Sequence, residues 1–325
     1  MQDRISFPPL PALSLGMLLS VIAVAAFAQA EYPSKPIRVI VPYAAGGADL
    51  QVRTLAPSMV RLLGQQLLIE NREGGGGTVG TSAVKNAAPD GYTLLYAGSG
   101  VFTSVVHLRK DPPYSLDDFT VIGNVIGTSF VMAARSDAPF KSIAELVAYA
   151  RANPGKVNFG SAGTGTTTHL SGEAFQGAAG VRFTHVPFQG IGPAVRSILG
   201  GNVDIVVGLP GPVLPQVRGG KLIALATTGT ARMEFAPDQP TWREAGFNAI
   251  EISRFGFFTP RATPEAIVAR LVAAVAEAVK APDFIEATKK TFNSVSYLPP
   301  AELRRVLDDE SRVNSKLIRD LKLVE

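Results

Sequence analysis

The 325-residue sequence contains no cysteine, which excludes disulfides and the thiol on which a bacterial lipid anchor is built. Charge is sparse and balanced, because 31 basic residues stand against 27 acidic ones for a net charge of +4. There is no basic block and no DNA- or RNA-binding signature, so no nucleic-acid partner is expected. An apolar content of 46% with 18% charged residues indicates a globular chain, long enough for about two domains.

Nucleotide-binding motifs are also missing. The glycine corner at Gly46-Gly47 is not followed by the Gly-Lys-Ser/Thr of a phosphate-binding loop. The spacing Gly75-x-Gly77-x-x-Gly80 matches a dinucleotide fingerprint, but the next predicted strand does not end in the acidic residue that such sites require. We therefore interpret these glycines as a turn and expect no cofactor.

Catalytic and metal-ligating patterns are absent in the same way. Neither Ser99 nor Ser161 lies in the G-x-S-x-G turn of a serine hydrolase. The three histidines, His107, His169 and His185, lie far apart without the spacing of a metal site. His169 is interpreted as a packed or capping residue, with a ligand contact as the alternative. The sequence predicts neither a metal site nor an enzyme.

The N-terminus has the features of a secretory signal. Arg4 precedes the short apolar run Leu13–Ala28, and Ala28-Gln29-Ala30 matches a small-residue cleavage site. The alternative is a membrane anchor, but the run is shorter than the roughly 20 residues that a helical span needs. We expect residues 1–30 to be removed and the mature chain, beginning at Glu31, to be free in the periplasm.

Beyond residue 31, short β-branched runs alternate with amphipathic stretches, which predicts an α/β fold with mostly parallel sheets. The predicted strands are Ile37–Val41, Leu67–Glu70, Tyr92–Ala97, Val131–Ala134, Lys156–Phe159, Phe183–Val186, Val203–Val207, Lys221–Ala226 and Phe255–Phe258. The predicted helices span residues 49–63, 78–87, 142–152, 166–178, 191–199, 263–280, 282–292 and 300–321.

Two glycine-rich loops each connect a predicted strand to a helix. The first loop covers residues 41–49 and the second covers residues 161–166. Anions bind at such places because the first N–H groups of a helix have no intrahelical acceptor. The pattern predicts that both loops face one cleft and hold a carboxylate with main-chain donors. Asp49 is interpreted as a helix cap, with a water or ligand-amine contact as the alternative.

Five segments that follow one another along the chain resemble the Bug-type periplasmic receptors of tripartite tricarboxylate transporters. They are YPSKPIRVIVPYAAGGADLQVR, LIENREGGGGTVGTSAVKNAAPDGYTLL, FGSAGTGTTTHLSGEAF, HVPFQGIGPAVRSILGGNVDIV and GKLIALATTGTARMEFAPDQPTWREAG. The resemblance implies a type 2 periplasmic-binding-protein fold in which two α/β lobes enclose a ligand cleft. One lobe would contain residues 31–131 and 257–325, and the other residues 132–256. The crossings would fall near Val131–Ala134 and Ser253–Gly256.

The same resemblance implies a set of ligand-binding positions. They are Tyr43, Ala44, Ala45, Gly46, Gly47, Asp49, Ser99, Ser161, Ala162, Gly163, Gly165, Thr166, Thr167, Phe188, Gln189, Gly190 and Asp204. For Asp204 the alternative is a charge pair at the start of a strand. The chain departs from the family in its first loop, where only Ala48 separates Gly-Gly from Asp49, one residue fewer than usual.

The function implied is a monomeric periplasmic receptor that captures a small organic acid and delivers it to the membrane permease subunits of a tripartite tricarboxylate transporter. One alternative is a receptor on the same scaffold that feeds a signalling partner. Another is a periplasmic enzyme acting on a carboxylate. The two loops contain no Arg or Lys, and Phe102, Tyr43 and Phe188 are candidates for contacting an apolar or aromatic ligand body.

Overall fold

In the computed structural model, which describes residues 32–247 and 252–324, eleven strands form a six-stranded and a five-stranded sheet. From Lys35 onward the chain forms one compact unit. The predicted signal peptide, residues 1–30, lies outside the described residues. Among those that are described, no helix has both the length and the apolar composition needed to cross a membrane.

The strands, numbered in chain order, are β1 Ile37–Val41, β2 Leu67–Asn71, β3 Thr93–Gly98, β4 Phe119–Ser129, β5 Val131–Arg135, β6 Val157–Ser161, β7 Phe183–Pro187, β8 Ile205–Gly208, β9 Leu222–Thr227, β10 Ile252–Pro260 and β11 Val295–Leu298. The helices are α1 Ala48–Leu63, α2 Thr78–Lys85, α3 Gly100–Thr103, α4 Ile143–Ala152, α5 Thr167–Ala179, α6 Ile191–Leu199, α7 Pro210–Arg218, α8 Glu265–Ala278, α9 Pro282–Lys290 and α10 Pro300–Asp320.

Both sheets are mixed, so the prediction of mostly parallel sheets is wrong. The six-stranded sheet has the order β11-β4-β10-β3-β1-β2, and β10 runs antiparallel to both β3 and β4. The five-stranded sheet has the order β7-β6-β8-β5-β9, and β5 runs antiparallel to β8 and β9. We call each sheet, with the helices that pack on it, the six-stranded half and the five-stranded half.

The chain passes from one sheet to the other within a few residues. Strand β4 ends at Ser129 in the six-stranded sheet, and β5 begins at Val131 in the five-stranded sheet. Phe130, between them, is 1% exposed. The second connection includes residues 248–251, which the structure does not describe. The exact lobe boundaries therefore stay a prediction, and β10, at residues 252–260, crosses the proposed division between residues 256 and 257 while it belongs wholly to the six-stranded sheet.

Aromatic packing fills the core of the six-stranded half. The ring of Phe102 lies 5.1 Å from Phe119 and 4.7 Å from Phe258, measured between centroids, and edge-on to Tyr114. Phe102 is 2% exposed within this cluster. The Phe102 ring therefore packs in the core, and its position does not support the prediction that it contacts the ligand.

Helix α5 packs against β6 through a glycine. A methyl group on Gly172 would lie 2.2 Å from the Cε1 and Cζ atoms of the buried Phe159 ring. Because the packed core must shift to accommodate this methyl group, we expect Gly172→Ala to lower the free energy of unfolding by about 1–3 kcal/mol. Gly177→Ala is the control, because that glycine is on the same helix with no atom within 4 Å. It should gain about 0.5–1 kcal/mol from its lower backbone entropy. Urea denaturation measures both, and equal effects would contradict the packing argument.

Candidate functional site

A cavity lies where the two halves meet, and the atom-free space in it, open solvent included, is about 430 Å³. Its apolar wall is made of Ala44, Ala48, Phe130, Ala162, Ile191, Leu209 and Phe255, with Gly47 and Gly98. Its polar side chains are Tyr43, Thr166, Thr167, Thr168 and Ser253. None of these lining residues carries a charge. Desolvation raises the pKa of Tyr43 above its ordinary value, so that hydroxyl stays a neutral donor.

In the first loop, the main-chain donors are held by Asp49. Its Oδ1 accepts the N–H of Gly46 at 2.8 Å and of Gly47 at 3.0 Å, while its Oδ2 lies 3.5 Å from Nε of Arg53. Asp49 is 3% exposed and does not line the cavity. The N-cap of α1 is Gly47, so the prediction that Asp49 is the N-cap is wrong: Asp49 lies in the first turn. Its carboxylate accepts the N–H groups just before the helix, and these two groups are therefore not free for a ligand.

The second loop is fixed by a chain of hydroxyl groups. The N–H of Ala162 donates to Thr168 Oγ1 at 3.0 Å, and the two threonine hydroxyls of Thr168 and Thr166 are 2.9 Å apart. Thr166 Oγ1 in turn donates to the carbonyl of Gly163 at 2.7 Å. Each group in this chain uses its donor inside the protein, so these atoms shape the loop and leave ligand contact to others.

Two histidines lie beneath the same loop. His169 Nδ1 accepts the N–H of Gly165 at 3.1 Å, and its Nε2 is 3.6 Å from Glu173. The rings of His169 and His185 are stacked with centroids 3.9 Å apart. His185 Nε2 is 2.7 Å from Ser161 Oγ, which also accepts the N–H of Gly163 at 3.1 Å. His169 therefore has the packed, capping role predicted for it, and it supports the loop from behind.

The pKa of His185 is lowered to about 3, first by burial and then by the neighbouring His169, against the opposing effect of Glu173. For Glu173, desolvation raises the pKa, but hydrogen bonds and charge interactions with His169 and other neighbours outweigh it and leave the pKa below its ordinary value. Although Ser161 and His185 form a pair that their sequence separation concealed, the serine is 0% exposed and its hydroxyl is already engaged. The pair has no access to a substrate.

Helix α5 presents its N-terminus to the cavity. Thr167 and Thr168 are its first residues, so their N–H groups have no intrahelical acceptor, and no acidic residue lies in the first turn. Thr167 is 8% exposed, and its hydroxyl has no hydrogen-bond partner within residues 32–247 and 252–324. This is a positive helix end with an unused donor, which is suited to an anion.

The two halves approach each other through glycines around this cavity. A methyl group on Gly76 would lie 2.4 Å from the carbonyl oxygen of Thr164, and one on Gly192 would lie 2.4 Å from that of Ala45. The N–H of Ala44 donates directly to the carbonyl of Gln189 at 2.7 Å. The halves are thus in direct backbone contact, which larger residues would prevent.

The structure brings only some of the predicted positions to the cavity wall. Tyr43, Ala44, Gly47, Ala162, Thr166 and Thr167 line it. Gly163, Phe188 and Gln189 line a second cavity instead. Sequence reasoning did not identify Ala48, Gly98, Phe130, Thr168, Ile191, Leu209, Ser253 and Phe255. Ile191 and Leu209 each begin a helix or directly precede one, a signal that could have identified them.

The other predicted positions have structural partners. Asp204 accepts the N–H of Asn158 at 2.8 Å and lies 3.3 Å from Arg135 Nε. It therefore forms a charge pair just before a strand, which was the alternative interpretation of this residue. Gly190 packs on the backbone of Ala44. Neither residue lines the cavity.

Ser99 borders a third cavity, which shares Thr167 with the first. Arg254 and Glu310 form an ion pair in its wall. Desolvation raises the pKa of Glu310, and the charge of Arg254 opposes that rise. Arg254 is therefore already committed to a carboxylate of the protein. Within the described residues, no three His, Asp or Glu side chains converge as a metal site would require.

Comparison with known proteins agrees with this architecture. Residues 51–323 match the family described as "Tripartite tricarboxylate transporter family receptor". A Cupriavidus necator protein, named "UPF0065 protein in gbd 5'region", is 37% identical over 276 residues, which cover 84% of this chain and 83% of that protein.

Two solved structures extend the comparison to the fold. The periplasmic binding protein BugD superposes with a TM-score of 0.86 at 32% identity, over 90% of this chain and 99% of that one. MatC from Rhodopseudomonas palustris with bound malate superposes with a TM-score of 0.83 at 31% identity, over 88% of this chain and all of that one. The fold is thus that of periplasmic solute-binding proteins. The chain belongs to the tripartite tricarboxylate transporter receptor family, as a receptor of the Bug type.

Proposed function

We propose that this protein captures a small organic acid in the cavity between its halves, with the carboxylate at the N-terminus of α5. The observation that carries the proposal is the combination of that uncapped helix end with the hydroxyl of Thr167, which has no hydrogen-bond partner among the described residues and belongs to a cavity-lining residue that is 8% exposed. Of the predicted positions, Thr167 is the one we assign to direct contact. Tyr43, Ala44, Gly47, Ala162 and Thr166 shape the wall around it.

The number of donors is sufficient for useful affinity. The N–H groups of Thr167 and Thr168 and the Thr167 hydroxyl would give three hydrogen bonds to a charged group, each worth about 1.5–3 kcal/mol net. A micromolar complex needs about 8 kcal/mol. Ordering the ligand and the site reduces the free energy gained from these hydrogen bonds. Burial of the rest of the ligand against apolar side chains supplies the binding free energy that is still needed. A cation in the site is therefore not required.

Membership of this receptor family, together with the bound malate of MatC, supports a role in solute uptake. We propose that residues 1–30 direct export, that the mature protein works in the periplasm, and that it passes its ligand to the permease subunits of a tripartite transporter. Reporting of the ligand to a signalling partner is the alternative on the same scaffold. Loss of acid uptake on deletion of the gene would support delivery, and unchanged uptake would favour the sensor. The family, the fold and the buried Ser161 support binding without catalysis.

The binding proposal is tested by a thermal-shift screen against organic acids, followed by calorimetry on the acids that raise the unfolding temperature. We expect Thr167→Val, which removes one hydroxyl at constant shape, to weaken the affinity by about tenfold, the equivalent of about 1.4 kcal/mol. Thr54→Val is the matched control, because that hydroxyl donates to the Leu50 carbonyl on α1, outside the cavity. If Thr167→Val binds as well as the parent protein, the acid group is not at the start of α5.

A further inference from the structure

The other helix ends around the cavity are less suited to an anion, each for its own reason. The start of α1 carries the negative charge of Asp49. It is also covered by apolar groups, since a methyl group on Gly47 would lie 2.8 Å from Ile191 Cγ2 and 3.7 Å from Leu209 Cδ1. A second anion at this end would meet a carboxylate and two aliphatic side chains instead of free donors.

Helices α6 and α7 offer no second position either. The start of α6 packs on the first loop, because a methyl group on Gly190 would lie 3.1 Å from the Ala44 nitrogen. Helix α7 begins with Pro210, which has no N–H to donate. Gly100 packs on the start of α5, since a methyl group there would lie 3.0 Å from the Thr167 nitrogen. The first two residues of α5, Thr167 and Thr168, nevertheless both line the cavity, and its first turn contains no acidic residue, so of these four helix ends it is the best placed for an anion.

Basic side chains do not provide a second anion-binding position. No Arg or Lys is among the residues that line the described cavity. Arg53 lies against Asp49, and Arg254 is paired with Glu310 in the wall of the third cavity. A second carboxylate on the ligand would therefore lose its hydration without gaining a counter-charge.

The large aliphatic and phenylalanine side chains of the wall are buried. Phe130 is 1% exposed, Ile191 3%, Phe255 5% and Leu209 6%. Ser253 is a polar residue of the same wall, and its side chain is neutral. Such a surface gains from burying hydrocarbon or an aromatic ring and accepts a neutral hydroxyl.

We propose, building on the function proposed above, that the ligand is a monoacid: one carboxylate at the start of α5 and an uncharged, largely apolar body against Phe130, Ile191, Leu209 and Phe255. Malate, the ligand of MatC, carries two carboxylates. The two receptors would then share a fold but select different classes of acid.

Matched pairs of acids test this by calorimetry on the mature protein. Hexanoate is compared with adipate, 2-hydroxybutyrate with malate, and benzoate with terephthalate, so that each pair differs by one carboxylate. We expect the monoacid of at least one pair to bind about tenfold or more tightly than its diacid partner. If a diacid binds as well as or better than its monoacid in every pair that binds, the inference fails while the receptor function stands. If none of the six binds, both fail.

A charge placed in the wall gives a second test. Leu209→Lys puts a cation at the apolar end, and we expect it to shift the preference within each pair toward the diacid by about tenfold. Leu199→Lys is the control, because Leu199 is an exposed leucine, 40% accessible, at the end of α6. An unchanged preference in Leu209→Lys, in a variant that unfolds cooperatively, would show that the ligand body does not reach this wall.

Discussion

Gly76→Ala is expected to reduce ligand affinity by about 100-fold, or about 2.7 kcal/mol, while leaving the protein folded. Gly76 belongs to the turn before α2 in the six-stranded half, and Thr164 belongs to the second loop in the five-stranded half. The added methyl group would lie 2.4 Å from the Thr164 carbonyl oxygen, well inside the contact distance of carbon and oxygen. The halves would have to separate to relieve the clash, and a ligand that contacts both would lose part of its site.

The control separates this clash from backbone strain. Gly76 has φ +65°, where any residue with a side chain is strained by about 1–2 kcal/mol. Gly220, between α7 and β9, has φ +68° with no atom within 4 Å of an added methyl group. Gly220→Ala should therefore lose the same stability and keep its affinity. Equal affinities for the two variants, measured by calorimetry with the best acid of the screen, would mean that contact at Gly76 is not needed for binding.

Acid is expected to destabilise the protein through His185. Its pKa is lowered from 6.5 to about 3, mainly by burial, so the folded protein keeps the ring neutral where the unfolded chain binds a proton. The stabilising effect is complete above pH 6.5 and is lost progressively as the pH falls toward 3. The free energy of unfolding falls by at most about 1.4 kcal/mol per pH unit, and by less because part of the ring faces solvent.

Urea denaturation between pH 6.5 and pH 5 measures this slope above the ordinary range of carboxyl groups. We expect the slope to be smaller in His185→Gln, whose side chain does not titrate and can still bond to Ser161. His107 provides the comparison, since it also lies 2.7 Å from a serine hydroxyl, that of Ser311, and its pKa is also lowered, by burial and by Arg319. If His185→Gln has the same slope as the parent protein, burial does not control the protonation of His185.

Local patterns were sufficient to predict many of the elements. Strand β1 was predicted to the residue, and α5, α6 and α10 within two residues at each end, because β-branched runs and helical periodicity are properties of neighbouring residues. Strand β4 was missed. Its sequence FTVIGNVIGTS contains two glycines and an asparagine, which indicate turns, and it is held in place by pairing with β10 more than a hundred residues away.

The cavity was predicted less completely than the loops that surround it. Glycine-rich loops before helices are visible in sequence, and both border the site. Whether the N–H groups of these loops are free for a ligand is not visible in sequence, because side chains such as Asp49 and Thr168 turn back and accept them. The apolar wall was harder to predict, because Phe130, Leu209 and Phe255 come from distant segments that meet only in the folded chain.

The hydroxyl chain from Ala162 through Thr168 and Thr166 to Gly163 has a consequence for the thermodynamics of capture. A loop whose polar groups are satisfied by its own side chains is preorganised, so its conformational entropy is lost once, when the polypeptide folds. The acid then binds to a rigid surface, so the free energy of binding is not reduced by the cost of ordering the loop backbone.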